Sequence, residues 1–382
     1  GEKRPVLFRQ GQHCGQFVRS EAPAATLLAG PTVLASLPRQ PVLGSQLFPV
    51  LAGSFSPASC QPANQKRMPD STPSGPAGRL CRPPPCFKLR AMQNLIAKAA
   101  TLLEALPYIQ KFSGATFVVK YGGSFMDSPD PEVRTGVARD LVFLEAVEIN
   151  PVVVHGGGKA ISRAMEKSGL KPTFIQGQRV TDEAGVRIVD EVLSREINPE
   201  VVAAINSLGG AARGFAGPEI FKCRKARVQG ADGKELELGF VGEVTEVRTA
   251  PLLECIAEGV TPVISPTARG EDGHIYNCNA DIAAAQVAIA LKARRLVFMS
   301  DVPGLLENPK RPDSVISQLR IGQVDALKQA GVIDKGMIPK VDSAVAAIQS
   351  GVEKVSFVDG RVPHALLLEI FTDEGVGTEV VV

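Results

Sequence analysis

The residues of this chain best suited to chemistry are two lysines, one aspartate and two glycine turns. Lys120-Tyr121-Gly122-Gly123-Ser124 follows the uninterrupted run Thr116-Phe117-Val118-Val119. His155-Gly156-Gly157-Gly158 follows Val152-Val153-Val154 in the same way, and a helix is predicted from Lys159 to Lys167. Glycine lets backbone N–H groups come close to an anion, and a neighbouring lysine adds positive charge. One Gly-Gly after a strand reads equally well as a tight turn. Two copies and a lysine favour one phosphate site at the carboxyl ends of parallel strands. Asn277-Cys278-Asn279-Ala280-Asp281 and Gly336-Met337-Ile338-Pro339-Lys340 each open a predicted helix. Two lysines, a carboxylate and glycine turns suit phosphoryl transfer. Its transition state spreads negative charge over oxygens that fixed cations and N–H donors stabilise. Alone, an aspartate such as Asp281 at a helix start is more often only a cap.

Other phosphate and hydrolase motifs are excluded. Gly156-Gly157-Gly158-Lys159 is followed by Ala160, so there is no Walker loop. His-Gly-Gly-Gly occurs in esterases, but they need a GxSxG elbow, which is missing. A GxGxxG dinucleotide turn is also missing, and no HxxxH or HExxH pair suggests a metal site.

The strands carrying these turns read as buried on both faces of a parallel sheet. Asp130-Pro131-Glu132 begins a helix whose stripe is Val133, Val137, Leu141, Leu144 and Val147. Gly177-Gln178-Arg179-Val180-Thr181 is a turn, with Thr181 predicted to cap the helix from Asp182. From Gly217 to Val247 the pattern alternates around the turn Ala231-Asp232-Gly233, which predicts an antiparallel insertion. Predicted βα units resume with strands at Thr261–Ser265, Arg295–Met299 and Lys354–Val358. Helices are predicted at Ala280–Ala293, Lys340–Gln349 and Pro363–Phe371, and a closing strand from Val376 is broken at Gly377. Ahead of the first strand, Ala91 to Phe112 predicts an amphipathic helix. Leu95, Ala99, Leu102, Leu106 and Ile109 form its stripe and Leu103 widens it. That helix packs either on its own domain or on another subunit.

The chain has 382 residues, enough for one large α/β domain or two ordinary ones, and a net charge of +2. Charge is unevenly spread. Before Ala91 there are eleven basic and three acidic residues, a net +8, which leaves −6 for the rest. Residues 1–90 are also rich in Pro, Ser, Ala and Gln and lack a long periodic segment. This is the composition of an organelle transit peptide with a linker, and the mature start is expected near Cys86 to Ala91. Few aromatics interleave the basic residues, which argues against a nucleic-acid arm. Ala22 to Leu37 is apolar but broken by Pro31 and too short to span a bilayer. The seven cysteines have no disulfide or zinc spacing, so a reducing compartment fits.

In order along the chain stand Lys-x-Gly-Gly-Ser, His-Gly-Gly-Gly-Lys, Gly-Gln-Arg-Val-Thr, Asn-x-Asn-Ala-Asp, Ser-Asp-Val-x-Gly and Gly-Met-Ile-Pro-Lys. In these motifs the chain resembles the acetylglutamate kinases, within the amino acid kinase family, from about Ala91 to Val382. The resemblance implies a three-layer αβα sandwich around a mostly parallel eight-stranded sheet. It implies an N-lobe acetylglutamate site up to about residue 260 and a C-lobe ATP site after it, within a domain of residues 113–382. The implied activity is ATP-dependent phosphorylation of the γ-carboxylate of N-acetyl-L-glutamate in arginine biosynthesis. Lys120 and Lys340 resemble the lysines that stabilise the transferred phosphoryl group, and Asp281 the residue that organises them. Gly122, Gly123, Gly156 and Gly157 resemble backbone donors to phosphate and substrate. Arg179 and Asn277 resemble ligands of the acetylglutamate carboxylates. Asp301, Val302, Gly304, Leu306 and Met337, with Lys340, resemble the nucleotide side. Mg²⁺ is expected to bridge the ATP phosphates, held mainly by them.

Arginine-inhibited members carry an N-terminal helix that joins dimers into a hexamer. Residues 91–112, with Tyr108, resemble it. The segment from His364 to Thr378, with Glu369 and Gly375, resembles their effector site. Glu379-Val380 departs from an expected apolar pair and puts the packing of the last strand in doubt. Plastid members bind a PII-type nitrogen-signal protein, and a plastid stromal location fits the first ninety residues. Three other readings remain: a kinase for aspartate or free glutamate, a nucleoside monophosphate kinase, and a non-catalytic arginine-binding regulator. The first lacks the regulatory repeats usual in aspartate kinases, the second is disfavoured by Gly177 to Thr181, and the third by the intact Lys120, Asp281 and Lys340.

Overall fold

The structure is a computed structural model. It describes residues 85–382 except 123–125, 127, 129, 176, 230–234, 309 and 335, with side chains from residue 92. The expected transit peptide up to residue 84, Gly123 and the turn Ala231-Asp232-Gly233 lie outside the described residues.

The chain begins with helix α1 (Pro85–Phe112), strand β1 (Thr116–Tyr121), α2 (Pro131–Ala146), β2 (Asn150–His155) and α3 (Gly158–Lys167). A hairpin of β3 (Thr173–Ile175) and β4 (Gln178–Val180) leads to α4 (Glu183–Asp190). A π-helical stretch, Glu191–Ile197, runs directly into α5 (Asn198–Ser207). Next come β5 (Ala212–Phe215), α6 (Gly217–Ile220), β6 (Phe221–Lys225), β7 (Val228–Gln229), β8 (Glu235–Leu236), β9 (Val241–Val247) and α7 (Ala250–Ala257). The second half holds β10 (Thr261–Ile264), β11 (Thr267–Gly270), β12 (Ile275–Cys278), α8 (Ala280–Ala290), β13 (Arg295–Ser300) and β14 (Gln318–Arg320). It closes with α9 (Val324–Gln329), α10 (Ile338–Gln349), β15 (Lys354–Asp359), α11 (Ala365–Phe371) and β16 (Thr378–Val381).

Eight strands form one sheet in the order β14-β16-β15-β13-β1-β2-β10-β5. Every neighbouring pair in it is parallel except β15 with β16. The valine runs explain its centre. Val118, Val152, Val154, Leu296 and Phe298 enter one core, while Val119, Val153, Val297 and Met299 enter the other. Successive side chains point to opposite faces of a strand, so each run must be apolar throughout to feed two cores. The first core is closed by α7, α8 and α10 and the second by α2, α3, α5 and α11, which makes three layers. Full burial of a valine or leucine stabilises by about 1.5–3 kcal/mol.

The predicted insertion is present. Strands β6 and β9 are antiparallel and close with β11 and β12 into a four-stranded barrel beside the main sheet. The predicted cap at Thr181 is corrected. Asp182 caps α4, its carboxylate accepting from Gly185 N at 2.7 Å. Thr181 Oγ1 is engaged elsewhere, donating to the Arg179 carbonyl and accepting from Asn277 Nδ2. The doubt about the last strand is also resolved. Val380 is fully buried, and Glu379 reaches Lys354 Nζ at 2.9 Å, so the charged residue has a partner at the sheet surface.

Helix α1 begins six residues before its predicted start, with proline at its first position, where the missing N–H costs nothing. Its last turn docks on the domain. Phe112 is buried, with the Arg295 guanidinium 4.6 Å from its ring centre, and Lys111 O accepts from Arg294 Nη1. Farther up, Leu95, Leu102, Leu103 and Leu106 of the predicted stripe are 60, 69, 67 and 43% exposed. Packing on its own domain therefore covers only the end of this helix.

Candidate active site

Three segments far apart in sequence meet at the carboxyl edge of the sheet. Lys120 near the end of β1, Asp281 in the first turn of α8 and Lys340 in the first turn of α10 form one buried cluster. Lys120 Nζ lies 3.1 Å from Asp281 Oδ1, and Lys340 Nζ lies 2.7 Å from Oδ2. The contact with Lys120 is ionic, because Oδ1 makes no hydrogen bond of good geometry among the described residues. Burial alone would push the Asp281 carboxyl up, but the two ammonium groups overcome it and hold the acid at about 2. Burial and the neighbouring Lys120 charge lower the affinity of Lys340 for its proton. One carboxylate thus holds two cations side by side, with net positive charge facing whatever binds beside them.

Asp281 is not the cap of its helix. The cap of α8 is Asn279, whose side chain accepts from Asp281 N at 2.8 Å and Ile282 N at 3.4 Å. That leaves the Asp281 carboxylate for the lysines.

The two glycine turns face one another. Gly156 N donates to Tyr121 O at 2.7 Å. A β-carbon on Gly122 would lie 3.1 Å from Lys120 Nζ and 3.2 Å from the Gly156 backbone. One on Gly157 would lie 2.5 Å from Ile197 Cδ1 and 2.7 Å from Leu193 Cδ2. A side chain at Gly122 would crowd the facing Gly156 backbone, and one at Gly157 would force Leu193 and Ile197 to move. Helix α3 starts at Gly158 with no side-chain cap, so its first N–H groups have no acceptor from a capping side chain.

Lys120, Gly122, Gly156, Gly157, Arg179 and Asn277 line one cleft of about 230 Å³. Arg179, on β4, is buried; its Nη2 donates to Gly158 O and Ser162 Oγ, each at 2.9 Å. Its guanidinium lies 4.6 Å from the Phe174 ring centre, across the β3–β4 hairpin. A guanidinium has five N–H donors, so these bonds fix its plane and leave donors for the cleft. Burial lowers its affinity for its proton. Asn277 Nδ2 donates to Thr181 Oγ1 at 3.3 Å, which ties β12 to the same hairpin.

The residues expected on the nucleotide side stand on two segments. Asp301 to Leu306 form the loop after β13, in which Gly304 has φ +146° and Leu306 bridges to Val315. Met337 precedes α10 and packs on the first core. Asp301 lines a second, larger cavity of about 360 Å³, shared with Gly157, Gly158 and Lys159. The cleft holding the cations is the better reaction site despite its smaller volume, because charge stabilisation requires those cations.

Tyr108, Glu369 and Gly375 also come together, away from the cleft. Tyr108 Oη donates to Asp373, and its ring meets Phe371 edge-on. Glu369 is only 2% exposed. Its carboxylate accepts from Ser356 Oγ at 2.7 Å and Val376 N at 3.0 Å. Gly375 has φ +65°, and a β-carbon there would lie 2.6 Å from Glu369 Oε2. A solvated helix glutamate is therefore excluded, and the turn at Gly375 wraps the carboxylate.

Sequence reasoning missed Ser162 and Phe174, which aim Arg179, and Asn198, which stands behind the second glycine turn. Hairpin register offered a signal for Phe174, since β3–β4 pairing places it opposite Arg179. Nothing local marked Asn198.

The sequence profile of the amino acid kinase family matches residues 115–359. The chain belongs to that family. Among its relatives within the family, the acetylglutamate kinase of Carboxydothermus hydrogenoformans is 47% identical over 292 residues, covering 75% of this chain and 99% of that protein. The acetylglutamate kinase of Aquifex aeolicus is 45% identical over 300 residues, covering 76% and 99%. Among solved structures, the fold is similar to N-acetylglutamate synthase from Neisseria gonorrhoeae complexed with coenzyme A and L-arginine, with TM-score 0.61 and 25% identity. That match covers 74% of this chain and 65% of the synthase, so the chain spans less than two thirds of that protein. This amino acid kinase is an enzyme.

Proposed function

We propose that this enzyme transfers the γ-phosphoryl group of ATP to the γ-carboxylate of N-acetyl-L-glutamate, in arginine biosynthesis. The observation that carries the reading is the pairing of both lysines on Asp281 beside two facing glycine turns. Support comes from the acetylglutamate kinases, matched over almost their whole length.

An oxygen of the acceptor carboxylate attacks the γ-phosphorus, the bond to the β–γ bridging oxygen breaks, and ADP leaves with its electrons. The acceptor is already ionised at neutral pH, so no general base is needed. Lys120 and Lys340 stabilise the charge on the transferred group, and Asp281 keeps them at fixed spacing. Arg179 and Asn277 hold the acceptor's carboxylates, the guanidinium as a rigid fork. The donor set of the cluster is cationic and its one carboxylate is committed to lysines, so it suits phosphate oxygens rather than a metal. Mg²⁺ fits as an ion carried mainly by the ATP phosphates, neutralising their charge.

The test is ADP release from wild-type enzyme offered N-acetyl-L-glutamate, glutamate, aspartate or uridine monophosphate. Turnover with the first alone is expected; preference for any other overturns the substrate. Arg179→Ala should raise KM for acetylglutamate ~10-fold or more and leave KM for ATP nearly unchanged, as loss of a charged hydrogen bond predicts. An equal rise in both would place Arg179 elsewhere.

The regulatory reading is that arginine inhibits the enzyme at the corner of Tyr108, Glu369 and Gly375, and that α1 joins dimers into a hexamer. It is supported by the uncovered leucines of α1 and by the buried carboxylate in that corner. Residues 1–84 act as a plastid transit peptide and linker, a reading that the basic, acid-poor composition of the first ninety residues supports. A PII-type nitrogen-signal protein is then a partner in the stroma. Import into isolated chloroplasts, and co-elution of the processed enzyme with such a protein, test these two points; absence of either removes it.

A further inference from the structure

His155 ends β2 immediately before the second glycine turn and has no exposed surface. Its Nδ1 lies 3.0 Å from the Gly156 carbonyl oxygen. Its Nε2 lies 3.3 Å from Asn198 Nδ2, which also donates to Val263 O of β10 at 2.9 Å. Burial pushes the imidazole down to about 4, so it is neutral at pH 7 and carries one ring proton. Hydrogen-bond roles decide where that proton is. A carbonyl only accepts, so Nδ1 bears the hydrogen facing Gly156. Nε2 is then the acceptor and takes an N–H from Asn198.

The surroundings hold this relay in place. Asn198 follows a π-helical stretch, a geometry that recurs at functional sites. Leu193 and Ile197 of that stretch fill the space beside Gly157. On the far side, Gly214 of β5 makes room for Asn198, since a β-carbon there would lie 2.1 Å from its Oδ1.

The consequence follows from peptide planarity. In a trans peptide the C=O of one residue and the N–H of the next point in opposite directions. A Gly156 carbonyl held toward His155 turns the Gly157 N–H away from it. Gly157 lines both the cleft of Lys120 and Arg179 and the neighbouring cavity. We propose that His155, oriented by Asn198, is a positioning residue that aims the Gly157 N–H at the anion in the active site. The imidazole itself never touches substrate. This rests on the phosphoryl-transfer reading given above.

Two measurements test it. The first needs no variant. Nitrogen-15 NMR of the wild-type enzyme should show His155 as the neutral tautomer protonated at Nδ1; protonation at Nε2 overturns the relay, whatever the substrate proves to be. The second compares His155→Asn with His155→Gln. The asparagine amide can take the place of Nδ1 and donate to Gly156; the glutamine amide falls nearer Nε2 and leaves that carbonyl free. His155→Asn should keep kcat within a few-fold of wild type. His155→Gln should lose ~10²-fold in kcat, the scale of one misplaced donor to a developing negative charge, at similar melting temperature. A purely structural histidine predicts activity that follows melting temperature in both variants, and that pattern overturns the proposal. Absence of phosphoryl transfer in wild type would instead remove the catalytic reading and leave the tautomer result standing.

Discussion

Val152, Val153 and Val154 in β2 and Leu102, Leu103 and Leu106 in α1 are comparably apolar. The valines have no exposed surface, while the leucines expose 69, 67 and 43% of theirs. The active site and the α1 corner differ in the same way. At the active site, one carboxylate pairs with two lysines from distant segments of a single chain, and the cluster is buried at the edge of the sheet. At the corner, one contiguous helix docks by its last turn and leaves an apolar face open. Burial within the chain makes the active site self-sufficient. An open apolar face is instead what a second copy covers in a symmetric assembly.

The sharpest way to break this comparison is to remove a charge from the self-sufficient region. Lys120→Ala or Lys340→Ala should lower kcat by ~10²–10³, as loss of a single transition-state donor does, with assembly unchanged by light scattering. Wild-type turnover in either variant would take that lysine out of the reaction.

Acid should also act on the active site. His155 is ordinarily half-protonated near 6.5 and is held to about 4 in the fold. A depressed pKa means the unfolded chain binds the proton more readily. The stability from keeping the ring neutral is full above 6.5 and is lost as pH falls from there through 4. The range is at most about 3 kcal/mol, from 1.36 kcal/mol per pK unit. Asp281 adds a separate loss as pH falls from its ordinary value of 3.8 through about 2. Urea unfolding between pH 7 and 4 should show the wild type weakening, and His155→Asn should flatten that decline. Parallel slopes for the two proteins would show that His155 does not carry it.

At the corner, Glu369→Ala should relieve the proposed arginine inhibition, with coupling on the order of 1–3 kcal/mol, typical of allosteric linkage. Leu102→Asp with Leu103→Asp should reduce the assembly while each subunit keeps most of its basal turnover. Full arginine sensitivity in the first variant would remove Glu369 from the effector site. An unchanged assembly in the second would mean α1 is not the contact of the proposed hexamer. The smallest effect is expected from deleting residues 1–84, which should leave kcat and melting temperature unchanged in the purified enzyme. A clear fall in either would show that these residues belong to the working fold.

Much of the sheet was legible because a strand that feeds two cores has to be apolar at every position. Gly122, Gly156 and Lys120 were legible as a lysine and glycine turns after apolar runs, whereas Asp281 and Lys340, in the first turns of helices, stood out through the family motifs that contain them. Thr181 was misread as a cap. Either a threonine or the following aspartate can cap a helix, and only the bond from Asn277 on the distant β12 removes the threonine from that role. Asn198 was invisible for a related reason. An asparagine after an irregular helical turn has no local pattern, and its significance lies in His155 and Val263, far away along the chain.

The sequence by itself determined the βα units of a mostly parallel sheet, the glycine turns and the identity of the cationic residues, while the three-layer sandwich was implied by the family resemblance. Periodicity, turn chemistry and side-chain charge are properties of short stretches. Tertiary structure alone decided that one carboxylate holds both lysines, that Arg179 is aimed by Ser162 and Phe174, and that Glu369 is sealed under Gly375. It also decided that α1 ends docked with its leucines uncovered. Each of these depends on distances between segments separated by tens to hundreds of residues, and such distances are set by how the layers pack.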